Sequence, residues 1–163
     1  MEVQTTTQHN IQKSSKEQLL KNLTPEKLIK HDFKMKDLVL NSKNLTTVAS
    51  LKRNHGSNFS NAILMGWLIY FNKLVNQKKS MTEDQISITA TFIEEDYYWL
   101  SFQDIALIFK NIMKGNYGKL YESFDTPKLM DFFKTYAGQR IDLAEELQIN
   151  RHNELKHREK WDK

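Results

Sequence analysis

The segment FSNAILMGWLIYFNKLVNQ, residues 59–77, decides the fold. Apolar residues occupy almost every face of the helix that it would form, and the longest apolar run, residues 62–71, ends at Asn72 and Lys73. A helix of this kind is either the buried centre of a bundle or half of an oligomer interface. The run is far shorter than the about 20 apolar residues that cross a bilayer, so we expect no membrane span.

Turn and capping signals divide the chain around this segment. Gly56 lies in the break at residues 55–58, and we place a boundary there. We therefore expect a disordered tail at residues 1–14 and a basic helical N-terminal segment at 15–56. A helical core domain at 57–140 and a projecting, charged C-terminal helix at 141–163 complete the predicted organisation.

Further helices are predicted after the apolar segment. Thr82-x-x-Gln85 and Ser101-x-x-Asp104 are capping boxes, and Asp125-Thr126-Pro127 is an N-cap followed by proline. Gly115 is placed where a helix would end. The predicted fold class is all-α, with a compact bundle at about 59–140 and a short turn or extended piece near 115–124.

Composition excludes several classes of protein. The chain has no Cys, which excludes disulfide scaffolds, thiolate zinc sites and cysteine nucleophiles. Residues 1–15 hold no apolar stretch, so we expect no secretory signal and a cytoplasmic location. Of the 24 basic residues 20 are Lys, and the scarcity of Arg disfavours a reader of specific DNA bases.

No catalytic residue, metal site, cofactor or small-molecule substrate is predicted. The five His lie outside the apolar segments, and His152 and His157 are too far apart to share a helical face. Residues 82–109 carry six acids and no base. We interpret three consecutive acids there as a solvated corner or a docking patch for a basic partner, and assign two arginines of the C-terminal helix to partner binding as well. These residues are Glu94, Glu95, Asp96, Arg151 and Arg158.

The segment Gly115-Asn116-Tyr117-Gly118-Lys119 is the candidate nucleic-acid contact. Its glycine spacing does not fit a Walker phosphate loop, but it matches the G-x-x-G spacing with which some RNA-binding domains clamp a backbone. Lys110, Lys114 and Lys119 surround it, and Tyr117 and Tyr121 could stack on bases. A helix-ending turn would give the same spacing, so a purely structural role stays open.

Residues 81–140 resemble a known group of proteins. The resemblance rests on Thr82 to Ile86, on Tyr98-x-Leu100-Ser101-x-x-Asp104-Ile105, and on Gly115-x-Tyr117-Gly118-Lys119-x-Tyr121 followed by Asp125. The segment resembles an uncharacterised family of small helical proteins of gut-bacterial mobile elements and tailed phages. More loosely, it is similar to phage replisome-organiser and helicase-loader domains. The resemblance implies single-stranded DNA and a replicative helicase as partners, with Lys114, Tyr117, Lys119 and Tyr121 at the matching positions.

These observations lead to one main hypothesis and two alternatives. The main hypothesis is a non-enzymatic, helicase-loader-like adaptor of phage or mobile-element DNA replication in a bacterial host cell. In this hypothesis the 115–121 turn contacts nucleic acid or a partner, and the C-terminal helix docks a protein such as a replicative helicase. The first alternative is a structural or virion assembly protein that oligomerises through residues 59–77 or binds other virion proteins. The second is a regulatory inhibitor that binds a host protein through the acidic residues of 82–109.

Overall fold

The computed structural model describes residues 15–75, 78–120 and 124–161, with side chains as far as residue 158. Its backbone forms the predicted all-α fold, and the predicted tail at residues 1–14 lies outside the described ranges. The helices are α1 (15–22), α2 (Pro25–Lys30), α3 (Met35–Leu40), α4 (Val48–His55), α5 (Ser57–Val75), α6 (Glu83–Asp96), α7 (Phe102–Met113) and α8 (Thr126–Trp161).

Local hydrogen bonds fix where several helices begin. The Thr82 hydroxyl accepts from the backbone of Gln85, and the Gln85 side chain accepts in turn from the backbone of Thr82. The same reciprocal pair joins Ser101 and Asp104 at the start of α7. At the start of α8 the Asp125 carboxylate accepts from the backbone N–H of residue 128, at 3.0 Å. These three predicted helix starts are confirmed.

The apolar segment forms α5, which is the buried centre of the bundle. Its buried side chains recur every three or four residues and face the other helices, with α4 and α6 packed against it. The buried apolar side chains are Ile63, Leu64, Trp67, Leu68 and Phe71. The helix is not covered on all sides, because Ile69 and Leu74 remain 42% and 44% exposed. The buried face of α5 thus belongs to the core, and its other face is partly exposed.

Aromatic rings join α5 to α7, and α7 to α8. The ring of Phe71 stacks on Phe109, with centroids 4.2 Å apart and planes inclined by 20°. Phe109 meets Phe133 of α8 edge to face at 6.3 Å, and Trp67 packs against both Phe102 and Phe109. Each such pair contributes about 0.5–1.5 kcal/mol beyond the burial of its area.

The core extends further toward the N-terminus than residue 59. Leu23, Leu28, Val48 and Leu51 belong to the same buried cluster as the side chains of α5. The Trp67 indole N–H donates to the backbone carbonyl of Leu23 at 2.8 Å, which joins the end of α1 to α5. A glycine with φ 89° at position 56 lets α4 turn back onto α5. Sequence periodicity misses this packing because the apolar positions of the short helices are few.

α8 is 36 residues long, which corresponds to about 54 Å. Its first half packs on the bundle through Leu129, Phe132, Phe133 and Tyr136, all of them buried. Beyond residue 140 every side chain described is half-buried or exposed, and we call this part the projecting half of α8. Among the ranges that the structure describes, no helix combines the length and apolar character needed to span a membrane.

A buried carboxylate ties α7 to α8. Asp104 is fully buried, and its Oδ2 accepts from the Ser101 hydroxyl at 2.7 Å. Its Oδ1 accepts from the Tyr136 hydroxyl at 2.6 Å and from Arg140 Nε at 2.8 Å. The Arg140 guanidinium also lies over the Trp99 ring, 5.4 Å from its centroid. Since each oxygen accepts two hydrogen bonds, the cost of burying this charge is offset by good geometry.

We expect Asp104→Asn to lower the free energy of unfolding by about 3 kcal/mol, because the variant leaves Arg140 without its counter-charge. Urea denaturation followed by circular dichroism measures the change. Asp142→Asn, an exposed position on α8, is the matched control and should stay within about 0.5 kcal/mol of the wild type. Equal effects of the two substitutions would contradict the role given to Asp104.

We also expect stability to fall above about pH 10, the ordinary pKa of tyrosine. Burial, and then the Asp104 charge, raise the pKa of Tyr136 well above that value. The folded chain therefore keeps a proton that the unfolded chain releases, and a rise in pH favours unfolding. The free energy of unfolding, measured by denaturation at a series of pH values, should fall more steeply with pH for the wild type than for Tyr136→Phe. The same dependence of unfolding free energy on pH in the two proteins would contradict the role given to Tyr136.

Candidate functional site

The turn after α7 depends on two glycines with left-handed backbone. Lys114 caps α7, and Gly115 follows with φ 75°, as predicted for a helix-ending glycine. Gly118 has φ 96°, and its N–H donates to the carbonyl of Gly115 at 3.0 Å. The Asn111 side chain fastens the turn, because it accepts from the Asn116 amide at 3.0 Å. The G-x-x-G spacing is thus accounted for by backbone conformation.

Tyr117 is packed against α8 rather than extended into solvent. Its ring stacks on Phe132 with centroids 5.6 Å apart and planes inclined by 23°. The Tyr117 hydroxyl accepts from the Asn111 side chain at 3.2 Å. Burial raises the pKa of Tyr117, and this hydrogen bond opposes the rise. One face of the ring is therefore occupied by the protein itself, which leaves at most the other face for a base.

A cleft of about 630 Å³ lies beside this turn, where α5 and α7 both end. We call it the lysine cleft. Its two lysines are exposed, and its remaining lining is apolar side chains and glycine. The lining residues are Leu74, Val75, Ile112, Met113, Lys114, Gly115, Gly118, Lys119 and Leu120. The cleft combines positive charge at its edge with an apolar surface that is partly open to solvent.

The other predicted nucleic-acid residues do not all join this cleft. The Lys110 ammonium donates to the carbonyl of His31 at 2.7 Å, which directs it to the end of α2. Tyr121 lies outside the described residues. Three further lysines that the sequence did not predict as site residues are exposed and lie next to the end of α5, namely Lys73, Lys78 and Lys79. The acid-free, basic composition of residues 57–81 was the signal that could have found them.

The acidic corner is only partly available to a partner. α6 continues through Asp96, so the three acids form the last turn of this helix. Glu94 is 8% exposed, and its carboxylate lies 3.4 Å from the Ser57 hydroxyl and 3.6 Å from Lys52 Nζ. Glu95 and Asp96 are exposed. Glu94 is therefore engaged within the chain, and a docking patch here would consist of the other two.

The two predicted arginines are far from the lysine cleft. Arg151 and Arg158 are exposed on the projecting half of α8. Arg151 lies 19 residues beyond Phe132, against which Tyr117 packs, and this corresponds to about 28 Å along the helix. A single small ligand cannot contact both places. The structure thus separates the predicted nucleic-acid residues from this part of the predicted partner-binding set.

Metal ligands do not cluster within the part of the chain that the structure describes. No three His, Asp or Glu side chains there come together as a possible metal-binding group. The chemistry that the lysine cleft offers is ionic contact to an anion together with apolar contact.

Comparison with known proteins adds no assignment. No protein-family model, curated protein or solved structure matches the chain. The resemblance of residues 81–140 described above stays a prediction.

We expect Gly115→Ala to destabilise the fold by about 1 kcal/mol, because an L-residue with a Cβ is strained at φ 75°. Apart from the two neighbouring residues, no described residue has an atom within 4 Å of the added Cβ, so the cost comes from the backbone conformation. Gly138→Ala is the matched control with the opposite sign. It lies inside α8 with the same open surroundings, and alanine there should stabilise by about 1 kcal/mol. Thermal unfolding of both variants measures the pair, and a stabilising Gly115→Ala would contradict the turn geometry.

Proposed function

We propose that this protein is a non-enzymatic adaptor that binds single-stranded DNA in the lysine cleft and a protein partner through the projecting half of α8. The observation that carries the proposal is the pairing of Lys114 and Lys119 with an apolar floor in one open cleft. Lysine ammonium groups attract phosphates, and unstacked bases can cover apolar surface. Single strands offer both groups together, whereas a duplex keeps its bases stacked inside.

The arrangement favours binding with little sequence preference. Lysine acts as a point charge and lacks the fixed fork with which arginine reads guanine. Both α5 and α7 end at the cleft, and the partial negative charge at helix C-termini repels phosphates. The lysines therefore carry the attraction, and their removal should have a large effect.

The double variant Lys114→Gln/Lys119→Gln tests the DNA half of the proposal. An oligothymidine of about 20 nucleotides with a fluorescent label is titrated at several salt concentrations, and anisotropy reports binding. We expect weaker binding and a slope of log K against log salt that is smaller by about 1.4, since each lysine releases about 0.7 of a counterion from single strands.

The control is Lys36→Gln/Lys43→Gln, which removes the same charge at exposed positions near α3. Its affinity and salt slope should stay close to those of the wild type. Absence of wild-type binding, or equal loss in both double variants, would overturn the DNA half of the proposal.

The second part of the proposal is that the protein partner is a replicative helicase, as the resemblance of residues 81–140 implies. The support is the projecting half of α8, whose exposed Arg151 and Arg158 stand away from the bundle. A tagged pull-down at moderate salt with nuclease treatment should recover a replicative helicase with the wild type and lose it with Arg151→Glu/Arg158→Glu. Recovery of capsid, portal or tail proteins instead would favour the assembly alternative and reject the adaptor.

A further inference from the structure

A second concave surface lies at the other half of α5. It is a groove of about 300 Å³ between the α1–α2 turn and the first half of α5, and we call it the apolar groove. The residues that matter here are Leu20, Pro25, Phe59, Ala62, Gly66 and Trp67. Trp67 is buried at its base, whereas Leu20 is 46% exposed. Trp67, the last groove residue along α5, lies about 10 Å along the helix from Leu74 of the lysine cleft, and the two surfaces share no lining residue.

Gly66 is not explained by packing within the described fold. It lies in the middle of α5, where glycine is less favourable than every residue except proline. Its backbone is not in the left-handed region, and among the described residues no atom outside the adjacent backbone of α5 lies within 4 Å of the position that a Cβ would occupy. The missing side chain has one visible effect, which is to leave the apolar groove open. A glycine of this kind suits close approach by another molecule.

The charges around the groove are mainly basic. Lys16 Nζ lies 5.3 Å from the centroid of the Phe59 ring, which lines the groove. Lys27 Nζ donates to the Asn22 side chain at 3.3 Å, beside the α1–α2 turn. α1 and α2 together carry four Lys and two Glu, and α5 carries no acid. The complementary partner surface is therefore apolar at its centre and acidic at its edge.

One wall of the groove is α5, and the other is the α1–α2 turn with the helix ends beside it. Neither wall is a strand whose free edge could pair with an extended peptide, so recognition has to use side chains. A groove along one side of α5 fits the ridge of another helix. Its volume is at the lower end of the range for ligand sites, which suits one large side chain better than a cofactor.

We propose that the apolar groove docks an acidic amphipathic helix of a partner protein. One bulky apolar side chain of that helix enters over Gly66 and Trp67, and its Asp or Glu residues pair with Lys16 and Lys27. This inference does not depend on DNA binding in the lysine cleft, because the two surfaces share no lining residue.

The test is selection from a displayed library of helical peptides, each with a central bulky apolar residue flanked by either Glu or Lys. Peptides selected on the full wild-type chain should carry Glu flanks. Their affinity should fall about tenfold or more on Gly66→Leu, which fills the groove with a side chain. It should also fall on Lys16→Glu/Lys27→Glu.

Gly138→Leu is the matched control, since it makes the same substitution at an exposed helical glycine with open surroundings. It should leave peptide affinity unchanged. If Gly66→Leu loses its helical circular dichroism, Ala62→Leu fills the same groove in its place. Lysine-flanked binders, binders that tolerate the filled groove, or no binders at all would overturn the proposal. A wild-type dimer that Gly66→Leu dissociates would assign the groove to a second copy and overturn it equally.

Discussion

The carboxylate of Asp104 is the most deeply buried charge among the described residues, and the placement of α8 depends on it. A buried charge must meet its partners with good geometry, so Tyr136 and Arg140 fix both the rotation and the register of α8 against α7. The same register brings Phe132 under the ring of Tyr117. The turn that forms the lysine cleft is thus oriented by an ion pair in the core, although none of the paired groups lines the cleft.

Local signals made the fold predictable, and long-range contacts limited what could be predicted of the site. Capping boxes such as Ser101 with Asp104 use residues three apart, so the sequence displays them directly. The second role of Asp104, toward Arg140, joins residues 36 apart and leaves no local pattern. The same limit explains Lys110, which is close to the turn in sequence but bonds to the carbonyl of His31, 79 residues away. In the sequence Gly66 is one residue of an apolar run, and the open space beside it among the described residues depends on the three-dimensional packing.

α5 connects the two surfaces proposed for binding. Its first half forms one wall of the apolar groove, and its last turn forms one wall of the lysine cleft. Between them, Leu68 and Phe71 are buried in the core, so this part of α5 is a rigid spacer. A protein helix in the groove and a nucleic acid in the cleft would be held at a set separation without competing for side chains. This is the geometry that an adaptor requires.

The length of α8 means that a small tilt of the helix displaces its far end by a large distance. The helix is held at Arg140 by its ion pair, and from there to Arg158, a distance of about 27 Å, its side chains are half-buried or exposed. A tilt of about 10° at the held point would move the far end by about 5 Å, which is close to one helical turn. Tyr117 contacts the first half of α8, which is packed on the bundle, through Phe132. A displacement too small to matter at the cleft would therefore be large at the tip, where a partner would meet it.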